Sequence, residues 1–356
     1  MQNNLYIRVD ANTQIGTGHV MRCIALAQVW KKQGGQVTFI SSCGSESLRN
    51  RINDEEFQLV TTENLNPGYS DLKTTLLTVQ NSTSNNAWVV LDGYHFDTDY
   101  HQSIKNNGNQ LLVIDDTAHL DHYIADIILN QNVNAKELSY SCEPNTKLLL
   151  GTEYVLLRNE FLANKNWKRK IPKVANKILL TMGGADQDNV TFKVLKAINQ
   201  INIGNLEIKV VIGPSNLHLD TLLKVAEDSK HNVELLQSVS HISYLMAWAD
   251  MAISAAGSTC WELSYFGLPA ILIITSENQI MNLDFLVQYG AVTTVSNRMN
   301  ISTNMISQKI HQLIMNKELR KKMSHTGKLL VDGIGRERVV KTLQTIKIKL
   351  RENITV

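Results

Sequence analysis

Cysteine is sparse in this chain, and what there is of it is scattered. Cys23, Cys43, Cys142 and Cys260 lie far apart among 356 residues, with no C-x-x-C pair and no Cys/His cluster. Neither a zinc site nor a disulfide framework is indicated, and such low usage fits a reducing, cytoplasmic setting. An excess of one charge is also missing. The 35 Lys and Arg residues against 33 Asp and Glu leave a net charge of +2, and no basic block interleaves with aromatics, which argues against a nucleic-acid partner. No apolar run approaches the roughly 18 residues that span a bilayer. No basic segment followed by an apolar one opens the sequence as a secretory signal would, so stable membrane insertion is not expected. What is present, 43% hydrophobic and 19% charged residues, describes a globular protein long enough for two domains.

Short runs rich in Val, Ile and Leu alternate with longer amphipathic stretches. Residues 5–9, 37–40, 87–91 and 111–114 read as strands in the first half. Residues 177–182, 206–212, 233–236, 251–254 and 270–274 read as strands in the second. The alternation predicts an α/β protein of two doubly wound, Rossmann-like domains with parallel sheets. A basic, Pro-bearing stretch at 164–176 reads as the linker between domains 1–163 and 177–330. Residues 331–356 read as a C-terminal helix that packs back on the first domain, and the polar stretch 81–86 as a loop. In two such domains facing each other, ligands are expected in a central cleft at the carboxyl ends of the strands.

Three glycine junctions stand out. Gly16-Thr17-Gly18-His19 joins the first strand to a helix running through Met21, Arg22 and Cys23. Glycines let a ligand approach the backbone, a helix start favours anions, and His19 adds a titratable imidazole at the mouth of the turn. Gly257-Ser258-Thr259, with Glu262 on the helix that follows, has the shape of a phosphate cradle with a carboxylate placed for ribose hydroxyls. Gly183-Gly184 ends the first strand of the second domain and offers main-chain donors for a diphosphate, with Asp188 or Asn189 as a helix cap. Two acidic strand ends, Asp92-Gly93-Tyr94-His95 and Asp115-Asp116, point toward the same expected cleft. Each feature also has a plainer reading, as a glycine turn beside a surface histidine, a capped helix start, or carboxylates capping helices.

Taken together, Arg8-x-Asp10, the Gly16–Cys23 block, Ile114-Asp115-Asp116, Asn130-Gln131-Asn132, Gly151-Thr152-Glu153-Tyr154 through Phe161, and Gly183-Gly184-Ala185-Asp186 resemble the UDP-sugar hydrolases of pseudaminic-acid biosynthesis. These enzymes act on UDP-2,4-diacetamido-2,4,6-trideoxy-β-L-altropyranose and belong to the GT-B superfamily with the MurG enzymes. The resemblance implies that His19 is the catalytic histidine. It implies that Asp10, Gly16, Gly18, Arg22, Tyr94, Asn278 and Gln279 contact substrate, and that Gly183, Gly184, Gly257, Ser258, Thr259 and Glu262 hold the nucleotide. It implies hydrolysis at the anomeric carbon with inversion, water as acceptor, and no metal or other cofactor. Two alternatives use the same scaffold. One is a glycosyltransferase that delivers the sugar to a hydroxyl acceptor; the other is a non-catalytic nucleotide-sugar binding protein.

Overall fold

The structure, a computed structural model, describes the chain except for residues 1–3, 13–15, 43, 63–68, 81–86, 166, 205, 238, 240, 297–300 and 355–356; for 347–354 it describes the backbone. The polar loop expected at 81–86 and Cys43 lie outside the described residues. The chain divides into two compact units, Met1–Asn159 with Gly333–Val356, and Glu160–Asp332. Among the described residues no helix is long and apolar enough to cross a membrane.

Unit 1 is built on seven parallel strands: β1 (Asn4–Val9), β2 (Gln36–Ser41), β3 (Gln58–Thr61), β4 (Trp88–Asp92), β5 (Gln110–Ile114), β6 (Ile127–Asn130) and β7 (Lys147–Leu150). They lie in the order β3-β2-β1-β4-β5-β6-β7. The inner strands are buried almost throughout because both faces of the sheet are covered, and their side chains alternate between two cores. Leu5, Ile7, Val9, Trp88, Val90, Leu112 and Ile114 enter one core, while Tyr6, Val89, Leu91, Leu111 and Val113 enter the other. The helix Gly18–Lys32 fills the first core with Val20, Cys23, Ile24 and Leu26. Val339, Val340 and Leu343 of the helix Gly335–Ile354 join it there. Arg336 Nη1 of that late helix donates to Gln28 Oε1 at 3.2 Å. Gly335 permits the return: a Cβ there would stand 2.4 Å from the carbonyl oxygen of Val155.

Unit 2 carries six parallel strands: β8 (Lys177–Thr181), β9 (Glu207–Ile212), β10 (Asn232–Gln237), β11 (Met251–Ala255), β12 (Ala270–Ile273) and β13 (Thr293–Thr294), in the order β10-β9-β8-β11-β12-β13. Residues 164–176, read from the sequence as a linker, lie within this unit. The described part is fastened to it by its own side chains. Arg169 donates to the carbonyls of Met246 (2.7 Å), Phe266 (3.2 Å) and Ala249. These carbonyls lie at the ends of the helices Ile242–Trp248 and Thr259–Tyr265, where a cation is favoured. Trp167 packs on Phe266, and Ala175 is fully buried.

Candidate active site

In unit 1 the strand order reverses between β1 and β4, and an open parallel sheet binds ligands beyond the carboxyl ends of its strands at such a switch point. Val9, the last residue of β1, is in register with Asp92, the last residue of β4. Beyond β1 the chain turns through Gly16, held at φ +76 with its N–H on the Asn12 carbonyl, and enters the helix Gly18–Lys32. That entry sets His19 over Asp92, Nδ1 to Oδ1 at 2.5 Å. Arg22, one helical turn on, grips the same carboxylate with Nε (2.7 Å) and Nη2 (2.6 Å) and reaches Asp116 Oδ1 with Nη1 at 2.8 Å. Cys23 Sγ adds a weaker contact to Asp92 at 3.4 Å.

The electrostatics follow from this packing. Burial works to raise the Asp92 carboxyl, but the Arg22 cation and the hydrogen bonds from Arg22 and His19 outweigh it and hold Asp92 well below the usual carboxylate range. Burial likewise disfavours the Arg22 cation, and Asp116 and Asp92 more than compensate. A fixed Asp92 anion makes His19 Nδ1 the donor. Nε2 lies across the ring from that contact, and no described residue bonds it. The imidazole is 12% exposed, enough to meet a water. The Tyr94 ring stands edge-on to His19 at 5.5 Å, and its hydroxyl donates to Asp116 Oδ2 at 2.9 Å. Asn132 Nδ2 donates to the other Asp116 oxygen at 2.8 Å.

Two residues expected as substrate contacts turn inward. Asp10 is buried, with its carboxylate on Arg8 (2.5 and 2.8 Å), the Ser42 N–H (2.7 Å) and His95 (3.1 Å). Arg8 is itself fully buried and also paired with Asp71, so Asp10 serves to neutralise a buried cation. Arg22 has its guanidinium on Asp92 and Asp116. Gly16 and Gly18 shape the turn that delivers His19. The sequence reading placed Asp92 at the right strand end without assigning it a task; the signal was an acidic residue closing the strand beside β1.

In unit 2 the strand order reverses between β8 and β11, with Thr181 in register with Ser254. The turns that follow these strands, at Gly183-Gly184 and at Gly257-Ser258, are therefore neighbours at one switch point. Gly183 sits at φ +80, where L side chains are disfavoured. The turn leans on the end of β9 at Gly213, where a Cβ would come within 2.3 Å of the carbonyl oxygens of Gly183 and Gly184. The polar residues after it are capping groups. Asp186 accepts from the N–H groups of Val190 (2.7 Å) and Thr191 (3.0 Å), and Asn189 accepts from Phe192 at 3.4 Å. Ser258 and Thr259 begin the helix Thr259–Tyr265, which carries half-buried Glu262. Gln279 Nε2 lies 3.8 Å from the position a Cβ would take at Gly257. Gln279 Oε1 is held by the Thr275 N–H at 2.9 Å, and Asn278 Oδ1 by Ser276 Oγ at 2.6 Å. Unit 2 thus gathers Gly183, Gly184, Gly257 and Gln279 around one crevice, with Asn278 beside them.

Residues 177–334 match the glycosyltransferase family 28 C-terminal domain. The chain is 27% identical to the UDP-2,4-diacetamido-2,4,6-trideoxy-β-L-altropyranose hydrolase of Campylobacter jejuni, over 80% of this chain and 96% of that protein. It is 25% identical to the uncharacterized protein MJ1062 of Methanocaldococcus jannaschii over 77% of this chain, and spans 56% of that longer protein. Among solved structures, MurG of Acinetobacter baumannii superposes with a TM-score of 0.67 at 15% identity, covering 96% of this chain and 99% of the other. The fold is that of the MurG-like GT-B proteins, and the sequence resembles the pseudaminic-acid pathway hydrolases over most of its length.

Proposed function

We propose that this protein hydrolyses a UDP-activated amino-deoxy sugar at its anomeric carbon, releasing UDP and the free sugar with inversion. The observation that carries the reading is the Asp92–His19 pair, in which Nδ1 is anchored on a buried anion and Nε2 is left to accept a proton. In this scheme a water oxygen attacks the anomeric carbon from the face opposite the nucleotide. The carbon–oxygen bond to the diphosphate breaks and its electron pair leaves on UDP. The water proton passes to His19 Nε2. General-base assistance of this kind is worth roughly 10²–10⁴-fold. The leaving group needs no strong acid if donors hold its charge, a task assigned to the backbone at Gly183, Gly184 and Gly257 and to the hydroxyls of Ser258 and Thr259. Glu262 is assigned to the ribose. The similarity to the Campylobacter jejuni hydrolase supports a diacetamido sugar as the substrate.

The test is incubation with UDP-sugars in water, the diacetamido altropyranose among them. UDP release without an acceptor, with the first-formed sugar anomer inverted by NMR, is the expected result. UDP release only after a hydroxyl acceptor is added would establish a glycosyltransferase instead.

A further inference from the structure

A second histidine–carboxylate pair lies beside the first and has no part in the scheme above. His119 Nδ1 meets Asp115 Oδ2 at 2.8 Å, just beyond the end of β5, the strand next to β4. Asp115 Oδ1 also accepts the N–H groups of Thr117 (2.8 Å) and Ala118 (2.6 Å) and the Tyr140 hydroxyl (3.0 Å). Its Oδ2 accepts the Tyr123 hydroxyl at 2.8 Å. Ala118 is held at φ +54, a conformation disfavoured for residues with a Cβ, where the chain turns back and brings His119 over the carboxylate.

Tyr94 joins the two pairs. Its ring is edge-on to His19 at 5.5 Å and to His119 at 5.7 Å, so the three rings form one row. The row is reachable: the His119 side chain is 27% exposed and Tyr94 38%. In both histidines an anchored Nδ1–H leaves Nε2 as a lone-pair acceptor on the far side of the ring, and no described residue bonds either Nε2. Two such acceptors, separated by a tyrosine, are more than one proton transfer requires. The first takes the proton from water. The second is placed to receive a hydrogen bond from a part of the substrate that does not react, while the Tyr94 ring offers an apolar wall between them.

Resting on the nucleotide-sugar reading above, we infer that His119 is a specificity-determining residue. Its Nε2 accepts a hydrogen bond from an N–H or O–H substituent of the sugar ring remote from the anomeric carbon. An N-acylamino group supplies such a donor, and a site that loses its partner for a polar substituent discriminates by far more than one that loses a methylene contact.

The experiment is calorimetric titration of the His19→Asn protein, in which the ligand survives, with UDP and with the diacetamido UDP-sugar. The same titrations are run with His119→Phe and His119→Gln added. Phenylalanine keeps the ring against Tyr94 and removes the acceptor; glutamine keeps an acceptor oxygen. Asp115 retains four donors in either variant. His119→Phe is expected to weaken the UDP-sugar by roughly 10- to 100-fold and leave UDP unchanged, with His119→Gln recovering part of the loss. Unchanged UDP-sugar affinity in His119→Phe overturns the inference. Equal losses for UDP and UDP-sugar also overturn it, because they mark a structural role. UDP release that depends on an acceptor would remove the hydrolase reading while the binding difference still stood. Hydrolysis without the binding difference would remove the His119 assignment alone.

Discussion

At the switch point of unit 1 the chain leaves β1 and β4 through Asp10 and Asp92, whereas at the switch point of unit 2 it leaves β8 and β11 through Gly183-Gly184 and Ala256-Gly257. The backbone plan is the same and the materials are opposite. Unit 1 closes its strand ends with polar side chains that are already paired: Arg8 with Asp10 and Asp71, Arg22 with Asp92 and Asp116, His119 with Asp115. Unit 2 offers glycine turns and small hydroxyl residues, with polar side chains turned to capping helices. Pre-paired charges hold a base at a set angle and protonation state without waiting for a ligand, as preorganised catalysis requires. Backbone N–H groups freed of side chains suit a multiply charged anion that must come and go. The contrast predicts that changes at the His19–Asp92 pair of unit 1 act on rate and those at the glycine turns of unit 2 on affinity for UDP.

The sharpest way to break this division is His19→Asn. It should lower kcat by roughly 10²–10⁴-fold and leave KM for the nucleotide-sugar near its original value, the pattern of an interaction made only in the transition state. Steady-state kinetics on both proteins decides the point, and near wild-type turnover would discard His19 as the base.

A second consequence of the crowded polar interior of unit 1 concerns stability. His101 is fully buried and neither ring nitrogen has a hydrogen-bond partner among the described residues. Burial dominates over nearby Asp97 and Asp115 and brings its pKa down to about 4. The unfolded chain takes up this proton near the ordinary histidine value while the folded one refuses it. Stability is therefore intact above about pH 6.5 and is lost as the pH falls toward 4, by about 3 kcal/mol in total. Urea denaturation from pH 7 to 4.5 should show a flatter acid limb for His101→Phe. The same slope in both proteins would exclude His101 as its source.

Unit 2 provides the converse tests. Glu262→Ala should weaken UDP binding by about 1–3 kcal/mol, the scale for lost charge-assisted hydrogen bonds, with kcat at saturation little changed. Unaltered UDP affinity by calorimetry would remove Glu262 from the ribose. The last test is Gly213→Ala. Its methyl would press on the Gly183 and Gly184 carbonyls and shift the turn, costing about 1–3 kcal/mol of stability and some UDP affinity. An unchanged melting temperature would show that the turn yields freely.

The same comparison explains what could be read from the sequence. Strands such as β4, β5 and β8 announce themselves by unbroken Val, Ile and Leu runs, because both their faces are covered. Gln58–Thr61, with its pattern of exposed and half-buried residues, and the two-residue Thr293–Thr294 carry too little hydrophobic signal and stand at sheet edges. Glycine junctions are local, so His19, Gly183 and Gly257 could be singled out from neighbouring residues alone. The ion pairs are not local. Asp92 lies 73 residues from His19 and Asp71 lies 63 from Arg8, and only the strand order brings them together. For that reason the pairing of Asp10 with Arg8 shows no more in the local sequence than that of Arg22 with Asp92. The segment 164–176 misled in the same way, since composition does not reveal that Arg169 clamps two helix ends.

The packing of the helix Gly335–Ile354 against the helix Gly18–Lys32 bears on how the protein is made. The helix that carries His19 is made before unit 2, yet Val339, Val340, Leu343 and Arg336, which complete its packing, are synthesised only after the whole of unit 2. Unit 2 is in effect an insertion within unit 1. It can close while the chain is still growing, whereas unit 1 must wait with part of its core uncovered. A ribosome stalled just before residue 335 would leave unit 2 complete and unit 1 without the helix that covers its first core.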